Sequence, residues 1–365
     1  MQPSLAFAFL ATGLLSSDVA AAAVVPEYFR PQARADEAVC PPPPTPKVTW
    51  FDGKELAKLA LPLMPAAQLN GEIRLPSFQP KEIDFIGTPK TIDFKDPHFD
   101  VFSKIAPDSQ RIFLRRQVEP SNRMLRPFTM IGKVFMRDGP SVNQCTGTMV
   151  GARLFLTANH CVQNKTSGWS LEFVPGFVGA AGPQPRAPFG IPILSEECWG
   201  IRRSDDPIKS ANLDGSDYVV CVLKESVGTR LGFTGPVIPK LGDEERTYMG
   251  QSWFSAGYPA SFQDGKALVL EDTVKILKYY DTPNEGKTLV SDPYPDHGWS
   301  GGPLYGLRGN DAYLIGVVSA VLHVSVHETI FQNALHSGGA RLSHLVQVAR
   351  CKWFVMKDVE CPESR

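Results

Sequence analysis

The chain predicts an all-β protein, and three observations carry that reading. From about residue 117 the sequence breaks into short apolar or alternating runs: "FTMIGKVFM", "GTMVGARLFLTA", "SLEFVPGFV", "DYVVCVL", "ALVLEDTVKILKYY" and "YLIGVVSAVLHVSV". Glycine and proline separate these runs, as expected of strands joined by turns. Helical spacing is confined to one late stretch, "ARLSHLVQVARCKWF", where Leu342, Leu345, Val346 and Ala349 predict a helix from about 340 to 350. Barrels or a sandwich with one short C-terminal helix satisfy all three.

Upstream, the amino terminus runs apolar from Leu5 to Leu15, turns polar, and continues into the alanines Ala20 to Ala23. This reads as a secretory signal over residues 1–23. No later apolar run approaches the ~20 residues of a membrane-spanning helix, so the expectation is a soluble, secreted, extracellular protein without a membrane span. Residues 24–116 hold "CPPPPTPK" and "LPLMPAAQL" with no sustained periodicity, and predict an irregular propeptide or accessory segment. The proline run reads as a stiff spacer. The segment closes on the dibasic pair Arg115 and Arg116 in polar surroundings, a processing point that would start the mature chain near Gln117.

Charge is balanced, with 37 basic and 38 acidic residues and a net charge of -1, which argues against nucleic acid or an anionic membrane recognised through bulk charge. Seven cysteines in an exported chain are expected to pair. Cys145 and Cys161 flank the run ending in "TANHC", and a bridge there would pin the loop. Cys221 falls near the end of the strand after Asp217, with Cys198 in reach on a neighbouring strand. Cys351 and Cys361 are near one another in sequence, and Cys40 is left over. Asn164 in "NKT" is an acceptor sequon.

The chemistry centres on "SDPYPDHGWSGGPLYG", where Gly298, Gly301 and Gly302 surround Ser300 in a tight loop that presents a hydroxyl. A serine hydroxyl is a poor nucleophile until a base takes its proton and a third group orients the base. His160 ends the strand-like run of "CTGTMVGARLFLTANHCV", and Asp217 directly precedes the buried-looking strand of "LDGSDYVVCVL". Asp214 is the competing carboxylate in the loop before that strand.

The order His160, Asp217, Ser300, set in "TANHC", "DYVV" and "GWSGGP", resembles the chymotrypsin-like serine endopeptidases. More narrowly it is similar to the V8-like branch of glutamyl-endopeptidase relatives, a likeness shared by "RPFTMIGKVF" before "CTGTMV". The resemblance covers about residues 126–350. It implies two antiparallel β-barrels with the active site between them, the first over 117–232 with His160 and Asp217, the second over 233–365 with Ser300 and the C-terminal helix. It also implies that His160 acts as general base and then acid, that Asp217 holds its tautomer, and that the N–H groups of Gly298 and Ser300 form the oxyanion hole. The implied protein is a monomeric endopeptidase that acts on proteins or peptides through an acyl-enzyme, without cofactor or metal, its own propeptide obstructing the cleft.

Two alternatives belong to other classes. "GWSGG" also fits the nucleophile elbow of α/β-hydrolases, which would need Asp311 and His336 after the serine, but strands and helices do not alternate there. An inert homologue that binds proteins without cutting them is the other, and the presence of all three catalytic residue types gives it no support. His323 and His327 share a strand face without a carboxylate pattern and predict no metal site.

Specificity departs from the glutamyl pattern. Tyr294 and Pro295 stand before the serine, and Val318 falls where glutamate-selective relatives have a histidine. Ser319 and Ala320 begin the wall along which substrate backbone would pair. These residues predict a preference for uncharged side chains. Trp299 occupies the position before the serine where digestive zymogens carry an aspartate, so the indole is expected to pack beneath the loop and leave the mature amino terminus with little influence.

Overall fold

The computed structural model describes residues 45–59, 73–80, 115–119, 122–162, 168–179, 189, 193–202, 215–239, 242–282, 286–292, 296–308, 311–326 and 329–361. The signal sequence, Cys40 with its proline run, Asn164, Asp214, Tyr294, Pro295 and His327 lie outside the described residues.

Three short strands come first: β1 (Lys47–Phe51), β2 (Ile73–Arg74) and β3 (Arg115–Gln117). A first barrel follows, made of β4 (Ile131–Asp138), β5 (Ser141–Met149), β6 (Leu154–Thr157), β7 (Ser170–Pro175), β8 (Ile193–Ile201) and β9 (Val219–Leu223). Its strand order is β8-β7-β4-β5-β6-β9, closed by antiparallel pairing of β9 with β8. The linker strand β10 (Gly235–Ile238) leads to a second barrel of β11 (Ser252–Gly257), β12 (Val269–Thr282), β13 (Gly286–Asp292), β14 (Pro303–Arg308), β15 (Asp311–Val326) and β16 (Thr329–Gly338). There the order is β14-β11-β12-β13-β16-β15, closed by β14 against β15. The fold is thus two six-stranded antiparallel barrels of the chymotrypsin-like kind.

Sequence chemistry explains the closure. β9 reads "VVCVL" and every residue of it is buried, because a strand inside a closed barrel faces packed side chains on both sides. Phe155 on β6 stacks on Phe173 of β7 with ring centroids 4.8 Å apart, filling the first barrel. Val237, Trp253, Val274, Leu289, Leu304 and Ile315 belong to the cluster that fills the second. Cys145 is bonded to Cys161, Cys198 to Cys221 across β8 and β9, and Cys351 to Cys361.

The expected irregular segment over 24–116 needs correction in its described parts. β1 runs parallel to β8, from Lys47 opposite Glu197 to Phe51 opposite Ile201. A short helix, Gly53–Lys58, follows from a capping box between Asp52 and Glu55, and its Leu56 is fully buried. β2 pairs antiparallel with β10, and Phe78 bridges to Phe233. Ser77 donates its hydroxyl to the Ala312 carbonyl and accepts the Gly235 N–H. Two or three residues suffice to complete a sheet edge through backbone groups alone, and so few residues show no periodicity in sequence.

The dibasic pair lies within a strand. Arg115–Gln117 pairs with Val269–Glu271 of β12, and both arginines are engaged, Arg115 with Glu271 and Arg116 with Asp272. The pair is thus half-buried and ion-paired on the sheet.

The C-terminal helix spans Ala340–Lys352, close to the expected range. Its Arg350 is 1% exposed and donates to three carbonyls from separate parts of the chain: Val150 at 2.5 Å, Pro76 at 2.8 Å and Thr234 at 3.0 Å. Burial pulls this guanidinium down to about 10, against the opposing charge of Glu360.

Candidate active site

His160 stands in a single 3-10 turn, Asn159–Cys161, at the end of β6. That turn is pinned on both sides, by the Cys161 bridge to β5 and by the buried Asn159 amide, which donates to the Ile201 carbonyl at 2.8 Å. Asp217 is 1% exposed just ahead of β9. Its Oδ1 accepts the His160 backbone N–H at 2.9 Å, and its Oδ2 meets His160 Nδ1 at 2.7 Å. An ionised carboxylate can only accept, so this contact puts the imidazole proton on Nδ1 and makes Nε2 the accepting nitrogen of the ring.

Oδ2 also accepts the Ser319 hydroxyl at 2.5 Å. The sequence marks Ser319 only as part of a substrate wall, and the strand ladder explains this second role. β15 pairs Val318 with His336 and Ala320 with Leu335, so Ser319 falls at a bulge, a device that re-aims a side chain. A one-residue irregularity of this kind has no mark in the sequence.

Ser300 is partly exposed in the loop before β14. Gly298 holds φ at 87°, and a Cβ there would come within 2.5 Å of the Tyr258 carbonyl. Gly301, at φ 80°, presses against Thr157 and Thr146 so closely that any side chain would collide with them. Both positions therefore need glycine. The loop reaches across to the first barrel, since the Thr146 N–H donates to the Ser300 carbonyl and the Thr146 hydroxyl to the Gly298 carbonyl, each at 2.8 Å. Gly301 and Val318 tie it to β15, with Gly301 N–H donating to the Val318 carbonyl and Val318 N–H to the Gly302 carbonyl, also at 2.8 Å. Among the described residues, neither the Gly298 nor the Ser300 N–H donates to a backbone carbonyl.

Thr146 was missed by sequence reasoning. The signal available was its place in "CTGTM" beside Cys145, which says nothing of a contact across the barrels. Val318 is buried, and Ala320 is partly exposed on the same strand. Directly opposite Val318 lies His336, 2% exposed, with Nε2 2.8 Å from the Ser291 hydroxyl. Burial pushes its imidazole down to about 3, so it is neutral at ordinary pH. The esterase reading is corrected here, because the fold is two barrels and His336 is a buried residue hydrogen-bonded to Ser291. Cys145, His160 and Cys161 lie within 4.8 Å of one another, but both sulfurs are bonded to each other and offer no thiolate to a metal.

Residues 145–317 match the trypsin-like peptidase domain family. No curated protein gives a match. Among solved structures, the protease Anisep from Arthrobacter nicotinovorans is 20% identical over 60% of this chain and 95% of that chain, with a TM-score of 0.42. A Glu endopeptidase in complex with MPD is 18% identical over 65% and 96%, TM-score 0.46. HL collagenase is 17% identical over 62% and 93%, TM-score 0.43.

Proposed function

We propose that this chain, which carries a trypsin-like peptidase domain over residues 145–317, is a secreted serine endopeptidase with His160, Asp217 and Ser300 as its triad. One observation carries the reading: His160 is seated on the buried Asp217 through both its backbone N–H and Nδ1. That seat fixes the tautomer a general base needs. Nε2 accepts the Ser300 proton as Oγ attacks the scissile carbonyl, and Asp217 stabilises the resulting imidazolium. The N–H groups of Gly298 and Ser300 receive the oxyanion. His160 then returns the proton to the leaving amine, and water repeats the sequence on the acyl-enzyme.

Substrates are proteins or peptides. Val318 and the neutral His336 beside it offer no positive charge to a substrate carboxylate, which supports a preference for uncharged side chains over glutamate. Three disulfides fit an oxidising compartment, and among the described residues no helix is long and apolar enough to cross a membrane. The test is Ser300→Ala: hydrolysis of an unfolded protein and labelling by an organophosphonate should both vanish while circular dichroism is unchanged. Labelling at the wild-type level in that variant would end the triad reading.

A further inference from the structure

We infer that Arg115, carried by β3 outside the peptidase match, is a positioning residue that holds the nucleophile loop in its working shape by clamping Trp299. The inference rests on the triad reading above.

Trp299 immediately precedes Ser300 and is 1% exposed. Its indole N–H donates to the Ser255 hydroxyl at 3.1 Å. One edge of the ring lies over Gly302, where an added Cβ would come within 2.7 Å of Cδ1, and against Gly257. The Arg115 guanidinium lies over the ring, with its central carbon 5.0 Å from the ring centroid, a cation–π arrangement.

Arg115 is itself held from the far side. In the ladder it stands opposite Glu271, and its Nε lies 3.5 Å from Glu271 Oε2. Glu271 is 3% exposed and stands opposite Ser255 across β11 and β12. The groups therefore close a ring around the loop: Glu271 holds Arg115, Arg115 covers Trp299, Trp299 donates to Ser255, and Ser255 flanks Glu271. Beyond it, Arg116 pairs with Asp272 and keeps β3 on the sheet.

The chemical consequence follows from chain continuity. The N–H of Ser300 belongs to the peptide unit that begins at the Trp299 carbonyl, and that carbonyl accepts the Gly302 N–H at 2.8 Å. A tilt of the indole would turn this peptide unit and the N–H aimed at the oxyanion. The cation thus acts through Trp299 on transition-state stabilisation and leaves ground-state binding alone.

The experiment compares wild type, Arg115→Ala, Arg115→Lys and Arg137→Ala, the last a control on the exposed Arg137–Glu172 pair of the first barrel. Turnover of a peptide substrate, organophosphonate labelling rate and thermal unfolding are read for each. Arg115→Ala should lose roughly 10-fold in kcat and labelling rate with KM nearly unchanged, Arg115→Lys should recover most of both, and Arg137→Ala should match wild type. If Arg115→Ala unfolds at assay temperature, the comparison of Arg115→Lys with wild type below its unfolding range decides, with a small kcat deficit expected. Labelling and kcat in Arg115→Ala equal to wild type, or a Lys variant as impaired as Ala, would overturn this inference alone. Wild type that takes no label would overturn the triad reading with it.

Discussion

The two barrels hold their candidate catalytic side chains by different means. In the first, both contributors sit beside a covalent tie, His160 next to Cys161 and Asp217 just before β9, which carries Cys221. In the second, the Ser300 loop is held by packing on Trp299, by the Thr146 hydroxyl and by a few backbone bonds to Val318. A disulfide acts largely by restricting the unfolded chain, so its loss is felt throughout the domain. Packing acts only in the native state, at the place where it occurs. The base should therefore resist local damage, and the nucleophile loop should register it.

Removing the indole tests this most severely. Trp299→Ala leaves a large cavity beneath Ser300 and should cost about 3–5 kcal/mol of stability. It should also lower kcat well beyond that stability loss, measured below the unfolding range. A variant destabilised but catalytically normal would erase the contrast between the barrels.

Replacing both Cys145 and Cys161 by alanine is the matched perturbation in the first barrel. The bridge closes a 16-residue separation, for which the chain-entropy estimate is about 3 kcal/mol. Denaturant unfolding should move by that amount, while kcat of the folded fraction stays near wild type because Asp217 still seats His160 at two points. A kcat loss as large as that of Trp299→Ala would show that the bridge, not the carboxylate, orients the base.

The smallest effect concerns pH and sharpens the picture of the second barrel. Burial raises the Glu271 carboxyl to about 7, against the pull of Arg115, while its ordinary value is 4.5. The native state therefore keeps a proton between those values that the unfolded chain has lost, and stability falls as pH rises through that window, levelling off above about 7. Glu271→Gln should remove this slope between pH 4.5 and 7, as read by thermal unfolding across pH. An unchanged slope would assign it elsewhere.

Much of this was legible in the sequence. The strands of both barrels, the C-terminal helix and the residue types around Ser300, His160 and Asp217 all announce themselves through periodicity, glycine placement and short settings such as "TANHC". What was hidden depends on pairing at long range. Ser319 reaches Asp217 only because β15 bulges there, and β1 and β2 enter the sheets through backbone bonds that need no pattern. The strand at Arg115 and Arg116 was hidden too, because a pair of arginines looks the same in an open loop and in a strand whose acidic partners lie 156 residues away, as Arg116 and Asp272 do.

Arg350 has a bearing on the order in which the molecule is built. Its three acceptors lie 200, 274 and 116 residues earlier, in the first barrel, the amino-terminal segment and the linker between barrels. None of those carbonyls can find this donor until the ribosome has delivered residue 350. Contacts at such separations are the slowest to form, because loop closure must precede them. The barrels can each begin to collapse during synthesis, as domains do, but the helix Ala340–Lys352 ties the three places together, so a nascent chain stalled before residue 350 holds an unfinished seam in all three.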